Sequence, residues 1–280
     1  MKKTQWIIFG AAILSAAVLF AATQKRFFGS PKMGKAGLEP SASGLISVDS
    51  ILFHAKEQLK PDQVARINFL EHSITRGDVK DQKLHIYHQL ASFWKDSANL
   101  FDPFAWYTAE AARLENSEKS LTFAAHLFLN NLGQTTPQLK QWRATQAKDL
   151  FERSLNLNPS NDSSKVGLGA VYVYGGVAMP MQGINMIKEV ADKDPKNLYA
   201  QWTLAQASIM SGQLDKALER LKIVTQLDPK SIEVYLLGAG VLEQMGKKSE
   251  AIDWYNKVLP LVSNSEIKKE IEARIAELKK

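Results

Sequence analysis

Three prolines set the frame of this chain. Pro159, Pro195 and Pro229 are 36 and 34 residues apart, and a further step of 34 lands on Ser263. Each of these points closes a segment whose apolar residues recur three and four apart. The segments are "AKDLFERSLNLNPSN", "QGINMIKEVADKDPKN", "DKALERLKIVTQLDPKS" and "SEAIDWYNKVLPLVSNS". Ahead of the last three lie "SKVGLGAVYVYGG", "LYAQWTLAQASIMSG" and "EVYLLGAGVLEQMG". One such helix pair cannot bury its apolar stripe alone, so a chain written this way must stack its pairs side by side. The pattern predicts an all-α solenoid of antiparallel helix pairs.

Small residues recur at the same period. Ala205 and Ala217 stand 12 apart in one unit, and Ala239 and Ala251 stand 12 apart in the next. Gly212 and Gly246 mark the turn between helices, and Leu204, Leu227, Tyr235 and Tyr255 fill further repeating positions. The unit before them has Leu168, Gly169 and Tyr172, but Gly183 stands where its neighbours have alanine. That unit carries two extra residues around "GGVAMPMQG", which predicts an irregular turn. Ala147, Phe151 and Leu157 complete the second helix of the earliest legible unit. This set resembles the tetratricopeptide repeat, a 34-residue helix–turn–helix unit. The resemblance covers residues 138–263, with the terminal "SEIKKEIEARIAELKK" read as a capping helix over 264–280.

Upstream, residues 47–137 carry helical periodicity with weaker repeat signals, such as Leu90, Ala91 and Trp94, then Ala124, Ala125 and Phe128. Helices are expected near 47–59, 61–76, 82–98, 102–115, 118–132 and 138–157. Pro61 and Pro137 suit first helical turns, and Gly133 is expected to end a helix.

The N-terminus is different in kind. "WIIFGAAILSAAVLFAA", residues 6–22, is free of charge and reaches the length of a single bilayer-spanning helix. Its basic flanks fit a retained anchor over residues 1–26; a cleaved signal peptide is the competing reading. Phe20 and Leu19 fall where a cleavage site wants a small residue, which favours the anchor. Residues 27–46, rich in Gly, Ser and Pro, read as a flexible linker. The layout predicts a single-pass membrane protein with an exported, extracytoplasmic body, although the basic residues on the two flanks do not decide orientation.

Charge narrows the partners. The net charge of +6 equals the six Lys and Arg that precede Glu39, leaving 35 − 6 = 29 basic residues against 29 acidic ones. The body is therefore formally neutral and offers no nucleic-acid-binding face. There are no cysteines, which excludes disulfides and thiolate metal sites. "DQKLHIYH" sets Asp81, His85 and His88 on one helical face, the basis for an alternative reading as a metal-dependent hydrolase. The zinc helix motif, the phosphate-binding loop and the nucleophile elbow are all absent, so no cofactor, metal site or catalytic set is assigned.

The family resemblance implies an inner groove lined by first helices. Its positions fall here on Val166, Ala170, Val173 and Tyr174, then Tyr199, Trp202, Gln206, Ile209 and Met210, then Glu233, Leu236, Gly240, Glu243 and Gln244. Chaperone-binding members of the family hold a peptide carboxylate with a Lys and Asn clamp. The matching places here carry Val166, Trp202 and Leu236, and Ala170, Gln206 and Gly240, so the clamp is missing. What the resemblance implies is a non-enzymatic scaffold that takes a protein or peptide partner by apolar and aromatic contact. A self-associating, homo-oligomeric solenoid is the alternative.

Overall fold

The computed structural model describes residues 46–76, 80–133 and 135–280. They lie within one compact unit. The sequence's anchor at 6–22 and nearly all of its linker lie outside the described residues. Among the described residues, no helix is long and apolar enough to cross a membrane.

All regular structure among the described residues is helical. The first two helices are α1 (Val48–Lys56) and α2 (Pro61–Arg76). Five pairs then follow one another. They are α3 (Lys80–Ser92) with α4 (Phe101–Glu115), and α5 (Glu118–Leu129) with α6 (Pro137–Leu157). Next come α7 (Asp162–Gly175) with α8 (Pro180–Lys193), α9 (Leu198–Met210) with α10 (Leu214–Leu227), and α11 (Ile232–Gln244) with α12 (Lys248–Val258). A last helix, α13 (Ser265–Leu278), ends the stack. Each pair packs on itself and then on its neighbour, with α6 on α7, α8 on α9 and α10 on α11.

Local chemistry sets the boundaries. Asn161, Asn197 and Thr136 accept a backbone N–H at the starts of α7, α9 and α6, meeting donors that a helix start leaves unpaired. Asn116 takes a left-handed conformation after α4, and its N–H closes on the Ala112 carbonyl. Gly212 and Gly246 adopt φ of 73°, as the tight turn between paired helices requires. Gly133 does not end a helix. Helix α5 stops at Leu129, and Asn130 caps it.

Helix α3 runs on as a π-helical turn, Phe93–Ser97, in which the Ala98 N–H reaches the Phe93 carbonyl. The irregular turn expected after α7 is present, with Gly176 at φ 70° and α8 opening on Pro180.

Small residues let the pairs close. A methyl group on Gly183 would lie 2.3 Å from the Gly169 carbonyl oxygen, so α7 and α8 cross backbone to backbone. The glycine that breaks the alanine pattern therefore marks a close crossing. Gly238 meets the Trp254 ring in the same manner, with 2.0 Å left for a methyl. Ala205, Ala217, Ala239 and Ala251 are fully buried. On α13, Ile271 and Ile275 are buried against the α10–α12 cluster, and Ile267 and Leu278 pack on the same cluster.

Candidate protein-binding groove

The first helices of successive pairs form one layer, in which α5 touches α7 and α7 touches α9. The groove positions lie on these helices, and the structure divides them into three groups.

One group is consumed by packing. Val166 is fully buried among Ile187, Val190, Ala191, Ala200 and Leu204, and Ala170 is buried too. Both are corrected from groove lining to core, because α8 and α9 close over α7. Val173 is half-buried against the same cluster. The Tyr174 hydroxyl donates to the Thr203 carbonyl at 3.1 Å, which ties α7 to α9. Burial pushes the Tyr174 phenol above its ordinary range, so it stays a neutral donor.

A second group is held by the last helix. Glu243 accepts from the Tyr255 hydroxyl at 2.7 Å and from Arg274 Nε at 3.2 Å, and its other oxygen takes the Arg274 Nη2 donor. Glu243 is therefore the clasp that holds α13 on α11 rather than a free acid at the groove end. Its hydrogen bonds push the Arg274 guanidinium still further up.

The third group keeps accessible surface. Tyr199, Trp202, Gln206, Ile209 and Leu236 are half-buried, Glu233 and Gln244 are exposed, and Met210 is 68% exposed. Trp202, Ile209 and Leu236 rest on the α10–α12 cluster, which fixes one side of each and leaves the other to solvent. A methyl group built on Gly240 meets nothing within 4 Å, so open space lies above α11 between Leu236 and Gln244.

The structure adds residues from α5. His126 is half-buried, with its ring 5.0 Å from Phe151 and 5.6 Å from Tyr199, both edge-on. Its Nε2 lies 3.2 Å from the Ser163 hydroxyl. This one ring thus touches α6, α7 and α9. Desolvation by burial holds His126 below the usual imidazole range, which keeps it neutral near pH 7. Phe123, one turn earlier on α5, is 58% exposed. The register could have found them: His126 follows Ala125 as Gln206 follows Ala205. The repeat pattern is too worn at α5 for the groove positions to have been carried there.

The 81–88 face behaves otherwise. Asp81, His85 and His88 are exposed on α3, but only the two histidines line the neighbouring cavity. Among the described residues, no group of three or more His, Asp or Glu side chains is placed to hold a metal ion.

Residues 182–239, from α8 into α11, match the family model described as tetratricopeptide repeat. A stretch of 79 residues is 29% identical to anaphase-promoting complex subunit 3 of Dictyostelium discoideum. That match covers 28% of this chain and only 8% of the relative's length. Among solved structures, a MamA fragment from Desulfovibrio magneticus RS-1 is 21% identical, with a TM-score of 0.47 over 66% of this chain and 96% of its own. A tetratricopeptide-repeat protein of Thermus thermophilus is 17% identical, with a TM-score of 0.48 over 71% and 98%. YrrB, described as having an unusual peptide-binding site, is 14% identical, with a TM-score of 0.44 over 73% and 97%.

Proposed function

We propose that this chain is a non-enzymatic, membrane-tethered scaffold that docks a protein or peptide partner along its first-helix face. The observation that carries this reading is the unclosed row from Phe123 through Tyr199, Trp202 and Met210 to Leu236. These side chains are aromatic or apolar and positioned by the packed pairs behind them, yet they keep surface for a partner. Ordered apolar anchors of this kind give affinity without a catalytic set. Met210 adds an adaptable contact at the rim.

In this proposal the apolar run at 6–22 is the anchor, the linker gives reach, and the body works outside the cytoplasm in envelope assembly or maturation. Tethering raises local concentration, so modest affinity is enough. The test is cross-linking in membranes with the full chain, comparing it with Trp202→Ala/Leu236→Ala. The double variant is expected to keep its helicity and lose captured partner. Undiminished capture would remove the groove from the proposal.

A second reading, self-association, has its own observation. Phe53 on α1 and Phe69 on α2 are 60% and 73% exposed, an apolar surface on the two helices that precede the five pairs. Light scattering of the full chain in detergent decides it: a monomer removes this reading.

A further inference from the structure

A cavity of about 410 Å³ lies where α2, α3 and the π turn meet, remote in sequence from the groove helices. Arg66 enters it from α2, His85 and His88 from α3, and Asp96 from the π turn. Ser92 and Ser97 add hydroxyls to its wall. Arg66 and Asp96 form no ion pair among the described residues, with each other or with any other group. Arg66 and Asp96 are both exposed, so a guanidinium and a carboxylate face one solvent-open space with no ion-pair partner among the described residues. The wall is rich in donors, with one carboxylate as its only anion.

The backbone here departs from ordinary helix. The π turn carries Asp96 and Ser97 to the cavity, and the Gln63 amide braces it by donating to the Ser97 carbonyl at 2.8 Å. Next to the cavity residue Phe93, Trp94 is fully buried and its indole N–H has no partner. A π turn of this kind recurs at functional sites.

We propose that this cavity binds a protonated oxyanion, a hydrogen phosphate group either free or as a monoester. Arg66 supplies the fixed cation and a fork of donors for the oxygens. The His88 imidazole adds a further polar group to the wall, and the His85 Nε2 lies 3.0 Å from the Gln89 amide nitrogen. Asp96 repels a bare dianion but accepts a hydrogen bond from a P–OH. A phosphate monoester still holds that proton about half the time near pH 6. Sulfate is fully ionised and has no proton to offer, so Asp96 becomes a selectivity element. The site does not depend on the groove reading, because it shares none of its residues.

The test is calorimetry on the full chain in detergent at about pH 6 and constant ionic strength, with inorganic phosphate, O-phosphoserine and sulfate as probes. Phosphate or phosphoserine is expected to bind at least about tenfold more tightly than sulfate. Arg66→Ala is expected to lose about tenfold in phosphate affinity, with the helical spectrum unchanged. Asp96→Asn is expected to bring sulfate within about threefold of phosphate, because an amide can donate to an ionised oxygen. Tighter phosphoserine assigns the monoester, and equal or weaker phosphoserine assigns the free ion. Sulfate binding equal to phosphate in the unmodified protein overturns the proposal. So does the absence of phosphate binding, or phosphate binding untouched by Arg66→Ala.

Discussion

Helices α4–α6 and helices α7–α12 both bury small residues but differ in what else joins them. Between α4 and α6, long side chains do the joining. Arg143 grips Asp102 through two bonds of 2.6 and 2.8 Å and reaches the Asn131 carbonyl. Arg113 joins Asp149, Glu110 and Gln146. Where α6 meets α7, Thr122, Ser154 and Ser164 form a triangle of hydroxyls 2.8–2.9 Å apart, with Ser154 and Ser164 fully buried. From α7 onward the joining is done mainly by what is missing. Gly169 faces Gly183, Gly238 faces Trp254, and five alanines sit at zero exposure. Helices α4–α6 bury small residues as well, with Ala105, Ala109, Ala124, Ala125, Ala144 and Ala147 at zero exposure, but there the polar ties are added to the close packing. Where backbones touch, the signature must stay.

The largest expected effect tests the polar half. Asp102→Ala leaves Arg143 without its carboxylate in a mostly buried setting and should destabilise by about 3 kcal/mol, read from the urea midpoint. Replacing both partners, as Asp102→Leu/Arg143→Met, should recover most of that loss, because the stranded charge is gone. A double variant as weak as the single would show that the pair holds the helices by more than mutual satisfaction.

The close-packed half is probed by added methyls. Gly183→Ala should cost about 2–3 kcal/mol, since the obstructing atom is the Gly169 backbone, which has little room to yield. Gly238→Ala should cost about 1–2 kcal/mol, because its obstacle is the far edge of the buried Trp254 side chain rather than backbone. Gly240→Ala, two residues on, meets open space and should stabilise by about 0.5–1 kcal/mol through helix propensity. An unchanged or destabilised Gly240→Ala would mean that the space above α11 is filled.

The smallest effect is set by pH. Burial depresses His126 in the folded state, so between its folded and unfolded pKa the unfolded chain binds more protons. Stability is full above the ordinary imidazole range and falls as pH drops through that window. Melting temperatures taken from pH 7.5 to 5.5 should decline, and His126→Phe should flatten the decline. Asp149 acts in a lower window. Burial alone would raise it, but hydrogen bonds from Arg113 and Arg153 outweigh burial and hold it below the usual carboxylate range. Its contribution persists above that range and is lost only as pH falls through the lowered value.

Much of the fold was legible in the chain itself. Apolar spacing located the helices, Pro61 and Pro137 began two of them, and Gly212 and Gly246 turned two pairs. These are local properties, governed by backbone preference and a 3.6-residue period. The groove was less legible. Val166, Trp202 and Leu236 share one repeat position, yet only Val166 is swallowed by its neighbours. Glu243 stood among the groove positions until α13 brought Arg274 to it from 31 residues away. His126 went unread because its worth lies in contacts to three other helices.

By itself, then, the sequence determined that this chain makes stacked helix pairs, and where the close-packed turns and crossings must fall. Period, small residues and turn residues act over short distances, so they can be read in order. Which repeat positions face solvent, which acid is neutralised, and where Arg66 and Asp96 come to share a cavity were decided only in tertiary structure. Those outcomes depend on how closely helices distant in sequence approach, and one methyl group more or less changes that approach.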